Sequence, residues 1–238
     1  MSDLKDWLGT GGFEASDVSR TTALALLQLV PLAGGSIAQV IGDAWTTAAA
    51  KRIQSVVGFM AEELDRLRVD LEFVRKRIEE WEEAEVFFWE GIRSAPTTVS
   101  DSQRRELGNL LARGLSSGEI QVADSRSLLK RWQTMDDVER VMFLEVARAA
   151  AERRGPSMSV LGDQYFQGAT HGQRMLREDF HRRRMQRLMD IGLIRPANKE
   201  AWDAGKYPWR IDHFWPSKIG ELLYNLIAVS PNADYTNV

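Results

Sequence analysis

The stretch Ala50–Trp81, AKRIQSVVGFMAEELDRLRVDLEFVRKRIEEW, decides how this chain folds. Apolar residues recur at Ala50, Ile53, Val57, Met60, Leu64, Leu67, Leu71, Val74, Ile78 and Trp81, in steps that alternate three and four. That spacing is a heptad seam on one helix, expected to run from about 46 to 93. With Val57 at a and Met60 at d, Glu63 and Asp70 fall at g, and Arg68 and Arg75 fall at the following e positions. Such opposite-sign pairs suit a parallel two-stranded coil. Val69 and Phe73 lie off the seam and widen the apolar face, as in a helix of an intramolecular bundle. Two readings stand side by side: bundle packing, or self-association through Val57, Met60, Leu64, Leu67, Leu71, Val74 and Ile78.

Working outward, the 22 residues from Thr21 to Gly42 carry no charge. A membrane-spanning helix needs about 20 apolar residues, but Val30-Pro31-Leu32-Ala33-Gly34-Gly35 interrupts this run. Proline removes a backbone donor and disfavours helix in the residue before it. The expectation is an apolar hairpin over about 18–45, hinged at Pro31, Gly34 and Gly35. It is open between a buried element, a partner-binding face and a conditionally membrane-active segment. On the other side, Ser94–Thr98 breaks the helix, and Ser100 with Gln103 reads as a capping box for a helix carrying Leu107, Leu110 and Leu111. A helix over 123–133 follows, then one opened by Thr134-Met135-Asp136-Asp137, with Val138, Val141, Met142 and Val146 expected inward.

The remainder has a different grammar. A basic helix from about His171 to Asp190 leads to Gly192-Leu193-Ile194, a turn-rich aromatic stretch and a last helix over 219–227. Short strands are expected near Leu193-Ile194 and near Trp209-Arg210-Ile211. From His171 to Arg195 there are seven arginines against Glu178, Asp179 and Asp190. Arg174, Arg177, His181 and Arg184 share a face, and Arg182, Arg183 and Arg187 widen it. Leu176, Phe180, Leu188 and Ile191 form the expected buried stripe. Such a face can neutralise phosphates, or it can be a solvated surface paired with acidic residues.

Helix, Gly192-Leu193-Ile194, hairpin, then the helix Lys218-Ile219-Gly220-Glu221-Leu222-Leu223 resembles the back half of a winged-helix domain over roughly 135–228. That resemblance implies DNA binding or protein docking. The segment Val30-Pro31-x-x-Gly34-Gly35, a long charged helix and the Gly192-Leu193-Ile194 tail together resemble uncharacterised bacterial proteins, some of which sit among phage-defence and restriction systems. The expected fold is mainly α: a helical domain over 1–133 and a small winged-helix-like domain over 134–238.

The chemistry is sparse. The chain lacks cysteine, which excludes disulfides, thiolate catalysis and Cys-ligated metals. Gly114-Leu115-Ser116-Ser117-Gly118 has the hydrolase G-x-S-x-G spacing, but a leucine-rich helix precedes it where that chemistry needs a strand; it reads as a helix end. Glu178 and His181 make one Glu-x-x-His pair, and a di-iron set needs two such pairs and two further glutamates, which a single copy cannot complete. Gly9–Gly12 lacks the lysine of a phosphate loop. No catalytic residue, metal or cofactor is expected. Partners are a protein or a second copy, with DNA at the basic helix and membrane on activation as further options. The acidic start Met1-Ser2-Asp3 differs from the basic opening of a secretory signal, so the expected location is the cytoplasm. The first 155 residues carry 20 basic against 25 acidic side chains, and the rest carry 11 against 9, which points any nucleic-acid contact to the C-terminal part.

Overall fold

A computed structural model describes residues 47–117, 119–151, 171–204 and 214–228. The described chain is mainly helical. It forms two compact units: one ends at Leu129 and takes the chain back from Leu226, and the other is Lys130–Asn225. The expected hairpin with Pro31, Gly34 and Gly35 lies outside the described residues.

The first unit contains α1 (Thr47–Arg66), α2 (Leu71–Glu80), α3 (Glu82–Ser94), a 3-10 turn (Ala95–Thr97), α4 (Asp101–Ser116) and the first part of α5 (Glu119–Thr134). The single helix expected over 46–93 is therefore three helices. Its first break is a turn at Leu67–Asp70. The Arg68 N–H donates to the Asp65 carbonyl and the Val69 N–H to the Leu64 carbonyl, at 2.9 and 3.0 Å. This is a Schellman ending, with Arg68 in the left-handed position at φ 55° where glycine is usual. Asp70 then caps α2, its carboxylate accepting from the Glu72 N–H at 3.0 Å. A stop and a start signal thus sit inside an unbroken heptad pattern, and the local hydrogen bonding overrides it. The second break is Trp81, a single extended residue between α2 and α3.

The seam residues are used inside the chain. Val57, Met60, Leu64, Val74 and Ile78 are buried, Leu71 is half-buried and Leu67 is exposed at the break. Helix α1 packs chiefly on α4, and Val56, Met60 and Leu64 on the one and Leu107, Leu110 and Leu111 on the other are all buried. The helices approach so closely at Gly108 that a Cβ there would stand 2.8 Å from the Met60 backbone nitrogen and the Phe59 Cβ. As expected, α4 starts at a capping box: Ser100 accepts from the Gln103 N–H, and the Gln103 side chain returns the bond. Its far end is held by Arg77, whose guanidinium donates to the carbonyls of Leu115 (2.7 Å) and Ser117 while lying against the rings of Phe73 and Trp81.

One buried ion network ties this unit together. Glu63, 6% exposed, accepts from Arg66 at 2.7 and 2.5 Å and from Arg113 at 2.5 Å. Arg113 also donates to the Ala228 carbonyl at 2.9 Å, beside Asn109, which donates to the Ile227 carbonyl at 3.2 Å. Burial alone would raise the Glu63 carboxyl. The hydrogen bonds and charges of Arg66 and Arg113 outweigh that influence and hold it below the usual carboxylate range.

The second unit contains the end of α5, α6 (Asp137–Ala151), α7 (His171–Asp190), β1 (Ile194–Pro196), α8 (Lys199–Asp203), β2 (Phe214–Pro216) and most of α9 (Lys218–Ile227). A reciprocal cap starts α6: the Asp136 N–H donates to Glu139 and the Glu139 N–H to Asp136, at 2.9 and 2.8 Å. Met142 and Val146 point inward as expected, whereas Val138 and Val141 are exposed; Phe143, Ala147, Glu139 and Arg140 complete the inner face. Two apolar stripes overlap on this helix, and the one containing Phe143 buries more area.

The strands are antiparallel, pairing Ile194 with Pro216 and Pro196 with Phe214. Ile194 meets the expectation of a strand, while 209–211 lie outside the described residues and the pairing strand is Phe214–Pro216. The Gly192-Leu193 turn and the start of α9 form one hub. Gly192 takes the left-handed position after α7 at φ 75°. Ser217 donates through its hydroxyl to the Gly192 carbonyl (2.5 Å) and through its N–H to Leu193 (2.9 Å) while capping Gly220 (3.0 Å). A Cβ at Gly220 would collide with the Leu193 carbonyl oxygen.

Two outcomes follow for stability. Arg68→Gly should raise the stability by up to about 1 kcal/mol, since it relieves a left-handed non-glycine residue. In an unbroken heptad helix it would lower stability by about 1 kcal/mol, so the sign of the change in a denaturant titration checks the break. Glu63→Gln should cost about 3 kcal/mol at neutral pH, because it leaves the half-buried Arg113 without its anion. A carboxyl held below its ordinary value stabilises the fold above about pH 4.3 and loses that contribution as pH falls further. The gap between wild type and E63Q should therefore be constant above about pH 5 and close below about pH 4; a gap that stays constant in acid would remove Glu63 from the network.

Candidate functional site

The basic helix α7 spans His171–Asp190, as the sequence predicts, but its faces are turned from the expected ones. Met185 and Leu188 are buried, His181 and Arg184 are half-buried, and Phe180, expected inside, is 52% exposed. The stripe through 181, 185 and 188 is an i, i+4, i+7 face, and it excludes Phe180, which sits about 100° away. The side chains of Arg174, Arg177, Leu176 and Glu178 are outside the described set.

The arginines divide by role. Arg184, 15% exposed, reaches Asp136 at the start of α6 (3.4 Å) and lies over the Phe180 ring at 3.7 Å. Arg187 donates to the Thr134 carbonyl (2.7 Å) and faces the buried Glu139 carboxylate at 3.4 Å. Both pin α7 to the reciprocal cap of α6, so each combines structural work with surface charge. Arg183 is exposed and pairs with Asp179 at 2.6 Å, one turn earlier. Arg182 is exposed and stands 5.5 Å over the ring of Trp202, whose indole N–H donates to Gln186 at 3.1 Å. The His181 imidazole is lowered from its ordinary value, by burial first and by the charge of Arg184 second.

The remaining motifs resolve into local structure. Ser116 is the last residue of α4, and its hydroxyl donates to the Ala112 carbonyl at 2.6 Å; Ser117 does the same to Gly114. The G-x-S-x-G spacing here is a helix end, with Gly118 outside the described residues. Among the described residues no group of three His, Asp or Glu side chains could hold a metal ion, and no helix is long and apolar enough to cross a membrane.

The sequence reading passed over two features. The Asp136–Glu139 cap was legible as Asp-x-x-Glu ahead of an apolar run. The exposure of Phe180 was not, because Leu176 and Phe180 form as good an apolar spacing as Met185 and Leu188. Compared with family models, with curated proteins and with solved structures, the chain matches none.

Proposed function

We propose that this chain is a non-enzymatic helical interaction protein, an adaptor or effector that docks a protein partner in bacterial anti-phage defence. One observation carries the docking part. Val138 and Val141 on α6, and Ile219 and Leu222 on α9, stand exposed as i, i+3 pairs on helices whose opposite faces are buried. Single exposed apolar residues are ordinary, but i, i+3 pairs on one helix face are the spacing by which a helix offers anchors to a partner's groove. The defence setting rests on the resemblance carried by Val30, Pro31, Gly34, Gly35 and the Gly192-Leu193-Ile194 tail. Membrane action by residues 21–42 belongs to the same proposal and is read directly by liposome leakage.

Val141→Asp and Leu222→Asp should leave the thermal midpoint nearly unchanged, since surface changes stay within about 0.5 kcal/mol. They should also abolish the partner adduct that site-specific photo-crosslinking from Val138 yields in the native cell. A wild-type chain that forms no adduct, or variants that keep it, would count against the proposal.

A second reading is favoured by the order α7, β1, α8, β2, α9, with β1 and β2 paired, and by the exposed Arg182 and Arg183: a winged-helix nucleic-acid-binding protein. Dimerisation through the long helix drops out of it, because that helix is broken and most seam residues are buried inside their own unit. This reading expects duplex or single-stranded DNA to bind with an affinity that falls steeply with salt and weakens in R182A/R183A. Anisotropy titrations between 50 and 200 mM salt, the range over which about six phosphate contacts lose ~1,000-fold in affinity, give the slope.

A further inference from the structure

We propose that Phe180, Arg183 and Arg187 form a stacking-and-phosphate site for single-stranded nucleic acid; this rests on the nucleic-acid reading above and specifies its ligand. The three positions follow 3-4 spacing and share one face of α7. All three are exposed, Arg183 at 78% and Arg187 at 54%. The Phe180 ring is backed by the Arg184 guanidinium at 3.7 Å, and Arg184 is itself anchored to Asp136. The ring is thereby steadied, so little freedom remains to be lost when a base stacks on it.

The neighbouring charges suit a phosphate backbone. Over His171–Asp190 there are six arginines against three acidic residues. The Arg183–Asp179 pair is exposed on both sides, and such pairs contribute little, so a phosphate can displace it. Arg187 keeps its contacts to Thr134 and Glu139, yet a guanidinium has five donors and can hold a phosphate besides. A cationic groove with an aromatic platform is how single strands are bound without sequence preference. Duplex DNA keeps its bases stacked on one another and offers Phe180 nothing; an acidic peptide would use the arginines and ignore base content.

The full-length chain is titrated against a fluorescent oligothymidylate, an abasic strand of the same length and a duplex. The single strand should bind tightest. Phe180→Ala should weaken it by roughly 10- to 100-fold with an unchanged salt slope, and Phe180→Trp should retain binding and show indole quenching. R183A/R187A should flatten the slope of log K against log salt by about 1.4, two phosphates at ~0.7 each. The abasic strand should bind the wild type no better than oligothymidylate binds F180A. Duplex binding with a salt slope but no effect of F180A would sink the stacking site and leave the nucleic-acid reading standing. Binding to none of the three would remove both, and equal binding of the abasic strand would sink the stacking site and leave only a phosphate-binding patch.

Discussion

The first unit depends on the contact between α1 and α4 at Gly108, where a side chain would strike the backbone of Met60. Because the two helices meet backbone to backbone there, Leu107 and Leu110 are shut from solvent, while Leu111 closes on Gly91 of α3. One turn on, Glu63 comes within hydrogen-bonding distance of Arg113. Burying a carboxylate is expensive unless partners surround it. Here Arg66 and Arg113 supply them, and Arg113 carries the bonding outward to the Ala228 carbonyl. Packing and charge are thus one arrangement: the apolar approach creates the dry site, and the ion network makes that site tolerable.

Helix ends supply the second organising constraint. Arg68, Asp70 and Trp81 partition a run whose apolar spacing would continue through them. In the other unit, Asp136 with Glu139, and Gly192 with Ser217 and Gly220, fix where α6, α7 and α9 start or stop. The backbone groups at each helix end must be satisfied, and a side chain placed to do so outweighs the small advantage of continuing a stripe. The same residues place the candidate surface. Asp136 and Glu139 cap α6 and also receive Arg184 and Arg187, so the cap that starts one helix sets the rotation of the next.

That rotation is what turns α7 from a generic basic helix into a face of particular composition. With Met185 and Leu188 inward, Phe180 is left outside among arginines that are in part already bonded. The result is a surface of modest net charge on which one exposed ring stands among guanidinium groups.

The sequence by itself determined the helical character, the Ser100–Gln103 cap, the inward Leu107, Leu110 and Leu111, the span of the basic helix and the Gly192 turn. Each of these depends on groups within a few residues of one another, and local physics is written locally. The tertiary structure decided which of two near-equivalent stripes α6 and α7 bury, that Val57, Met60, Leu64, Val74 and Ile78 of the seam are buried within the chain, and that Glu63 is bonded to Arg66 and Arg113. Those outcomes turn on partners distant in the chain: Arg113 for Glu63, Asp136 for Arg184, the Leu193 carbonyl for Gly220. An apolar period states that a face will be covered, and only the three-dimensional neighbours state by what.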